Sequence, residues 1–423
     1  MKPAQIPWLL FPGAFLLGAV VWLVAEYATR QPQPTRKVLL YSPGQALISA
    51  YKPAPDRAPE MQTFDKAVLF LIDTQEPDGH WDSKKWGAEE SFSGSNGDVA
   101  LTALASYVFM LSGGQSGSEK LTVMSRARRG VEWLLARLNK DGRIEDELGK
   151  GEPAPAQLLT TLCLSKAAQM SKQNAFALSA AAAARYAIRK MPETGLGFGQ
   201  AARSLEPRAD ITALAVFIYA RAVESGVDLS KAEASSGAAP EPGNEDDTFV
   251  MQRQEDVEAQ FRAGLKMLSV SQQPGIYSMT RMAAEPDWEA TVCCLLMEGI
   301  LFLPNNNQAM SYVFGDFDQA TRTHTALKEH IYWGQAGEGF SALSLWLGTL
   351  AMSYLHRTQT QWQSWIDQIH TVLSAQQSAD GGWDVAGADA KRGRVWRTAL
   401  NALTLLRIDT LQSAVKPVQK AGR

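Results

Sequence analysis

Two kinds of apolar pattern alternate along this chain. In the first, hydrophobic or small residues recur with helical spacing: Phe64, Ala67, Val68 and Leu71, then Val131, Leu134, Leu135 and Leu138, then Phe261, Gly264, Leu265 and Leu268. Arg128, Arg129, Glu132 and Arg137 fall off the second of these stripes. The spacing predicts amphipathic helices with one face buried and one face wet. In the second kind, the segment is apolar on nearly every side: "VALTALASYVFML" (99–111), "QLLTTLCLSKAA" (157–168), "ITALAVFIYARA" (211–222), "ATVCCLLMEGILFL" (290–303), "LWLGTLAM" (345–352) and "VWRTALNALTLL" (395–406). A helix with no polar face must be covered all round.

Each all-apolar segment carries a threonine: Thr102, Thr161, Thr212, Thr291, Thr349 and Thr398. These marks recur about every fifty residues, with one longer interval between Thr212 and Thr291. That interval contains "KAEASSGAAPEPGNEDD", read as part of a surface insertion over about 228–256. Six pairs of one amphipathic and one fully covered helix require two layers, with the covered helices inside. An open solenoid would need polar caps on its end repeats. Here the most complete short motif stands in the first and last pairs, as suits a ring that closes. The expected fold is all-α: an (α/α)6 toroid, a double-layer barrel of six helix pairs over residues 61–410.

That motif is "QEPDGHW" (75–81) and "QSADGGW" (377–383). The glutamine ends an outer helix, where the last carbonyls lack partners that its amide can supply. Asp-Gly makes a tight turn in which glycine takes positive φ freely. The tryptophan then returns onto the repeat with a large buried area. Gln75, Gly79, Trp81, Gln377, Gly381 and Trp383 therefore read as structural residues.

These signatures resemble the QW repeats of the prenyltransferase and squalene-oxidase repeat superfamily, which includes triterpene cyclases and protein prenyltransferase β subunits. "WLGTLAM" (346–352), "WQSW" (362–365) and "RVWRTALNAL" (394–403) resemble the closing repeats of bacterial members. Ile144, Phe198 and Tyr277 occupy the tryptophan slot without the full pattern. The resemblance implies an α/α toroid with a central, mostly apolar cavity.

No charge falls between Lys2 and Glu26, a stretch long enough to cross a bilayer as a helix. Trp8, Trp22 and Tyr27 stand where interface anchors would. The expected organisation is a transmembrane anchor over 1–28, a Pro-rich tether over 29–60, the toroid, and a frayed tail over 411–423. A tethered body suits display outside the cytoplasm, while Arg30, Arg36 and Lys37 pull weakly the other way. The expected localisation is a single-pass membrane protein, its body slightly favoured outside, with the membrane as partner through this helix.

The 423 residues are 45% hydrophobic, with a net charge of −3. No basic patch supports a nucleic-acid partner. Cys163, Cys293 and Cys294 lie in apolar helical segments and form no disulfide framework. The Asp-x-Asp-Asp cluster of triterpene cyclases is missing; "NEDD" (244–247) lies in the insertion, and Asp316 and Asp318 read as a helix start. The zinc site that prenyltransferases build has no metal spacing among His80, His324, His330, His356 and His370, so neither metal nor cofactor is expected. Asp98, Asp210 and Asp287 open inner helices and read as caps. Glu289 and Glu298 lack an easy capping role. Glu298 lies inside an apolar helix, where it needs a partner such as Arg221 or Arg397. The candidate acids are therefore Glu298, Glu289 and Asp287.

The expected function is a membrane-anchored toroid that binds an apolar ligand or a protein partner without its relatives' catalytic motifs. One alternative is an active prenyltransferase or cyclase on an isoprenoid-like substrate. A second is a sugar-acting (α/α)6 enzyme using paired carboxylates.

Overall fold

The computed structural model describes residues 59–112, 118–144, 153–171, 173–189, 208–224, 287–301, 341–355, 359–385 and 387–415, with short pieces around 261–268 and 277–278. The expected anchor over 1–28, nearly all of the tether and the insertion about 228–256 lie outside the described residues. The helices are α1 (Pro59–Asp73), α2 (Ser95–Ser112), α3 (Ser118–Leu135), α4 (Pro153–Ser171), α5 (Asn174–Arg189), α6 (Ala209–Glu224), α7 (Trp288–Ile300), α8 (Ala342–Leu355), α9 (Gln359–Gln376) and α10 (Gly393–Val415). Pro59 and Pro153 open α1 and α4, a position whose missing N–H would have no helical partner anyway.

The six all-apolar segments form one ring. Helix α2 packs on α4, α4 on α6, α6 on α7, α7 on α8, α8 on α10, and α10 returns to α2. The amphipathic helices lie outside: α3 against α2 and α4, α5 against α4 and α6, α9 against α8 and α10. Helix α1 lies against α10, α2 and α9, across the closing seam. The ring helices are apolar all round because neighbours, the outer layer and the axis cover every side. Among the described residues there is no strand, and the architecture is an all-α two-layer toroid. Phe217 of α6 meets Trp346 of α8 edge-on at 5.4 Å, reaching past the intervening α7.

The repeated motif is the joint between layers. Gln75 Nε2 donates to the Gly79 carbonyl at 2.8 Å and to the Arg126 carbonyl of α3 at 3.0 Å. Gln377 Nε2 donates to Gly381 at 2.9 Å and to the Thr63 carbonyl of α1 at 2.8 Å. Each amide thus ties its own turn to the next outer helix. The indoles serve the helix just left: Trp81 Nε1 donates to the Leu71 carbonyl at 3.1 Å, and Trp383 Nε1 to the Leu373 carbonyl at 2.9 Å. The second pair does this with other residues. Gln157, on inner helix α4, donates to the Gly142 and Ala183 carbonyls at 2.8 and 3.1 Å, and accepts from Ile144 N at 3.1 Å.

The threonine marks receive the returning chain. Thr102 Oγ1 accepts from Trp81 N at 3.2 Å, Thr291 from Tyr277 N at 3.1 Å, and Thr398 from Trp383 N at 3.1 Å. Thr349 Oγ1 accepts from the Trp365 indole of α9 at 3.0 Å.

The single-pass membrane localisation is corrected. No helix among the described residues is long and apolar enough to cross a membrane, and the segment expected to do so is outside them.

The joints make a sharp prediction. Gly381 has φ of 90°, and a Cβ there would lie 2.2 Å from the Lys66 carbonyl oxygen of α1. Gly87 has φ of 84° with nothing within 4 Å of a Cβ. Replacing Gly87 by alanine should cost about 1 kcal/mol, the strain of positive φ alone. Gly381→Ala must also push its turn away from α1 and should cost about 3 kcal/mol or more, read by chemical denaturation.

Candidate active site

The threonine marks fix which residues face the ring axis. Thr102, Thr291, Thr349 and Thr398 meet the returning turn or an outer helix through their hydroxyls, and Tyr219, seven residues after Thr212 and so on the same face of α6, meets Phe261 of an outer stripe at 5.7 Å. A residue two positions earlier lies about 200° round the helix and faces inward. That position holds Asp210 on α6, Glu289 on α7 and Trp396 on α10. Two carboxylates on adjacent ring helices therefore stand at one level, with an indole on the same ring level.

Glu289 is partly exposed and reaches the start of α8. Its Oε1 accepts from Ser341 N at 2.9 Å; its Oε2 accepts from Ser341 Oγ at 3.1 Å and Ser344 Oγ at 2.8 Å. Burial raises its pKa to about 7, against the serine hydrogen bonds that favour charge; the nearby Asp287 carboxylate also raises it.

Asp210 has the opposite surroundings. It is 2% exposed, and Arg208 grips it in a fork, with Nε at 3.0 Å and Nη2 at 2.8 Å. Burial alone would raise its pKa, but the Arg208 guanidinium, aided by the charge of Arg392, holds it below the usual carboxylate range.

A third carboxyl, Asp389, sits in the short turn Gly387–Arg392 that precedes α10. It is buried and accepts from Ala342 N of α8 at 2.8 Å. Burial raises its pKa despite that bond and the charges of Arg392 and Arg397. The Arg392 guanidinium lies over the Trp396 ring at 4.8 Å, and Phe92 meets the same ring at 5.5 Å.

The three expected acids separate. Asp287 is the N-cap of α7, accepting from Ala290 N at 2.7 Å, and burial raises its pKa. Glu289 caps not its own helix but the next. Glu298 accepts from the Tyr277 hydroxyl at 2.5 Å, well along α7 from Glu289. Its acidity thus serves a tyrosine that has taken the tryptophan slot. Asp210, Asp389, Ser341 and Ser344 were not among the expected site residues. For Asp210 a signal existed: it precedes Thr212 by the same two residues that separate Glu289 from Thr291. Among the described residues no group of His, Cys, Asp and Glu is arranged to hold a metal ion.

No family model and no curated protein matches the chain. Solved structures do. An alpha-1,6-mannanase of glycoside hydrolase family 76 from Salegentibacter sp. HEL1_6 is 10% identical, covering 83% of this chain and 99% of its own, with a TM-score of 0.52. An inactive variant of it, with two consecutive aspartates replaced by asparagine, is seen in complex with alpha-1,6-mannotriose. A family 76 alpha-mannanase from Bacteroides thetaiotaomicron is 9% identical, covering 84% and 97%, with a TM-score of 0.53. An unsaturated glucuronyl hydrolase specific for heparin is 9% identical, covering 84% and 98%, with a TM-score of 0.50.

The likeness is one of fold. It corrects the reading of the chain as a prenyltransferase- or squalene-cyclase-like toroid that binds an apolar ligand or partner, because these neighbours are glycoside hydrolases.

Two measurements follow. The folded chain keeps the Glu289 proton from about pH 4.5 to about 7, where the unfolded chain has lost it. The stability from this group therefore falls as pH rises through that window and is level above it. Glu289→Gln should remove this slope, gaining about 2 to 3 kcal/mol relative to wild type between about pH 5 and about pH 8 in denaturation curves. Tyr277→Phe removes a hydrogen-bond donor from buried Glu298 and should cost about 1 to 2 kcal/mol; the same loss should be much smaller in a Glu298→Gln background.

Proposed function

We propose that the chain is a glycoside-cleaving enzyme built on an (α/α)6 toroid, with Glu289 as general acid and Asp210 as its ionised partner. One observation carries this reading: two carboxylates at the same level of adjacent ring helices have surroundings that push their pKa values in opposite directions, Glu289 up and Asp210 down. Pairs of acids whose surroundings push their pKa values apart mark acid and base roles. Glycoside cleavage needs such a pair, one carboxyl to protonate the leaving oxygen and one carboxylate to answer positive charge at the sugar carbon.

The roles follow from the contacts. Glu289, poised near neutrality and partly open to solvent, gives its proton to the glycosidic oxygen as the bond to the anomeric carbon breaks. Asp210, kept charged by Arg208, stabilises the oxocarbenium character that develops. Water supplies hydroxide to the anomeric carbon, and its remaining proton restores Glu289. Asp287 serves as the cap that starts α7 and so sets the height of Glu289. Glu298, bound to Tyr277, takes no part. In the mannanase neighbour the two aspartates replaced in the inactive variant are consecutive; here the proposed pair is divided between two helices. The fold likeness supports the class of reaction, and the choice of residues rests on this chain's own geometry.

The test is release of reducing ends from a panel of α- and β-linked glycans, alpha-1,6-mannan among them. Wild type should cleave at least one. Glu289→Gln and Asp210→Asn should each lose about a hundredfold or more in kcat on that glycan while remaining folded. A wild-type chain that cleaves none of the panel, or a Glu289→Gln variant as active as wild type, sinks the proposal.

A further inference from the structure

We propose that Ser344 is a positioning residue for Glu289, its hydroxyl fixing Oε2 as the carboxyl oxygen that carries and delivers the proton. The proposal rests on the acid role given to Glu289 above.

Capping does not explain the Ser344 hydroxyl. Ser341 is the cap of α8, for its Oγ accepts from Ser344 N at 3.1 Å. Asp389 takes the next free amide, Ala342 N. With the amides so served, the Ser344 side chain turns instead to Glu289 Oε2 at 2.8 Å and to Ser341 Oγ, also at 2.8 Å. Ser344 is wholly buried, so these contacts are not shared with bulk water.

The two oxygens of Glu289 therefore face different chemistry. Oε1 faces the Ser341 backbone N–H, which only donates, so that oxygen stays an acceptor in both protonation states. Oε2 faces two hydroxyls, which donate to a carboxylate and accept from a carboxylic acid by turning about their C–O bonds. The proton is directed to Oε2, and Ser344 is the nearer of the two hydroxyls there. Of the charged and titratable groups, Asp287 acts on Glu289 directly, Cys293 one turn further along α7 feels both Glu289 and the Arg208-bound Asp210 of α6, and Asp389, flanked by Arg392 and Arg397, shares the start of α8 from the α10 side. All remain in place when Ser344 is changed.

The experiment uses the full chain with ¹³C-labelled glutamate carboxyls, titrated by NMR without substrate, the Glu289 signal being assigned by its loss in Glu289→Gln. Ser344→Ala removes a donor to the charged form, so the Glu289 midpoint should move about one pH unit upward. Ser344→Thr, which keeps a hydroxyl, should return it to the wild-type value. Where the glycan assay gives turnover, the alkaline limb of kcat/KM should move with the midpoint. If Ser344→Ala does not fold, Ser344→Cys, with its weak donor, should show the upward move. A midpoint unchanged in the folded alanine or cysteine variant overturns the proposal, as does a threonine variant that behaves like alanine. Because the titration needs no substrate, a moved midpoint with no cleavage of any glycan would support Ser344 and tell against the hydrolase reading alone.

Discussion

The structure depends on how closely the turn between layers approaches the next outer helix. Gly79 sits against the backbone of Arg129, Gly142 against Ala182 and Gly381 against Lys66, each too close to admit a Cβ. At that separation the turn's carbonyl and the neighbouring helix's carbonyl fall within reach of one side-chain amide. Gln75, Gln157 and Gln377 supply it. Hydrophobic burial holds the ring helices together, but it is non-directional. The glycine contact and the amide clamp give that burial a fixed register. The last joint repeats the first and differs in what it closes, since its neighbour is α1, more than three hundred residues earlier.

Register then passes inward. The tryptophan or tyrosine that follows the glycine donates its backbone N–H to a threonine on the ring helix, so the turn sets the height and rotation of that helix. With Thr291 held by Tyr277, and Tyr219 placing the equivalent face of α6 against the outer layer, Asp210 and Glu289 face inward at one level. Neither acid could be aligned by its own helix alone. The joint is structural in itself, yet it fixes the geometry on which a two-carboxylate reaction would depend.

Much of the fold was legible because it rests on period and composition. The six ring helices lie where all-apolar segments were read; the motif glutamines bind backbone carbonyls, but those of their own turn and the next outer helix, while the indoles take a carbonyl of the helix each glutamine ends. What escaped depends on pairings across the ring. Gln157 was hidden because a helix-borne glutamine replaces the one missing at Leu138, and no local pattern announces such an exchange. Glu298 looked like a stray charge in an apolar helix; its partner, Tyr277, was noted only as a substitute for tryptophan. Asp210 was read as a cap because an acid at a helix start usually is one. Its inward direction shows only when counted from the threonine rather than from the helix end.

The opposite pKa shifts of Asp210 and Glu289 follow from what each meets beside it. Both acids are desolvated, and burial alone would raise both. Arg208 is two residues before Asp210 in the chain and brings a full positive charge into a bidentate fork. Glu289 instead meets the first turn of α8, which offers an amide, two hydroxyls and the fractional positive charge of a helix start. Those groups bind a carboxylate without neutralising it, and the same helix start also serves Asp389. A guanidinium outweighs desolvation; a shared helix terminus does not. The asymmetry that pushes the two pKa values apart is thus set chiefly by Arg208, with the charge of Arg392 behind it, on one side of the pair and not the other.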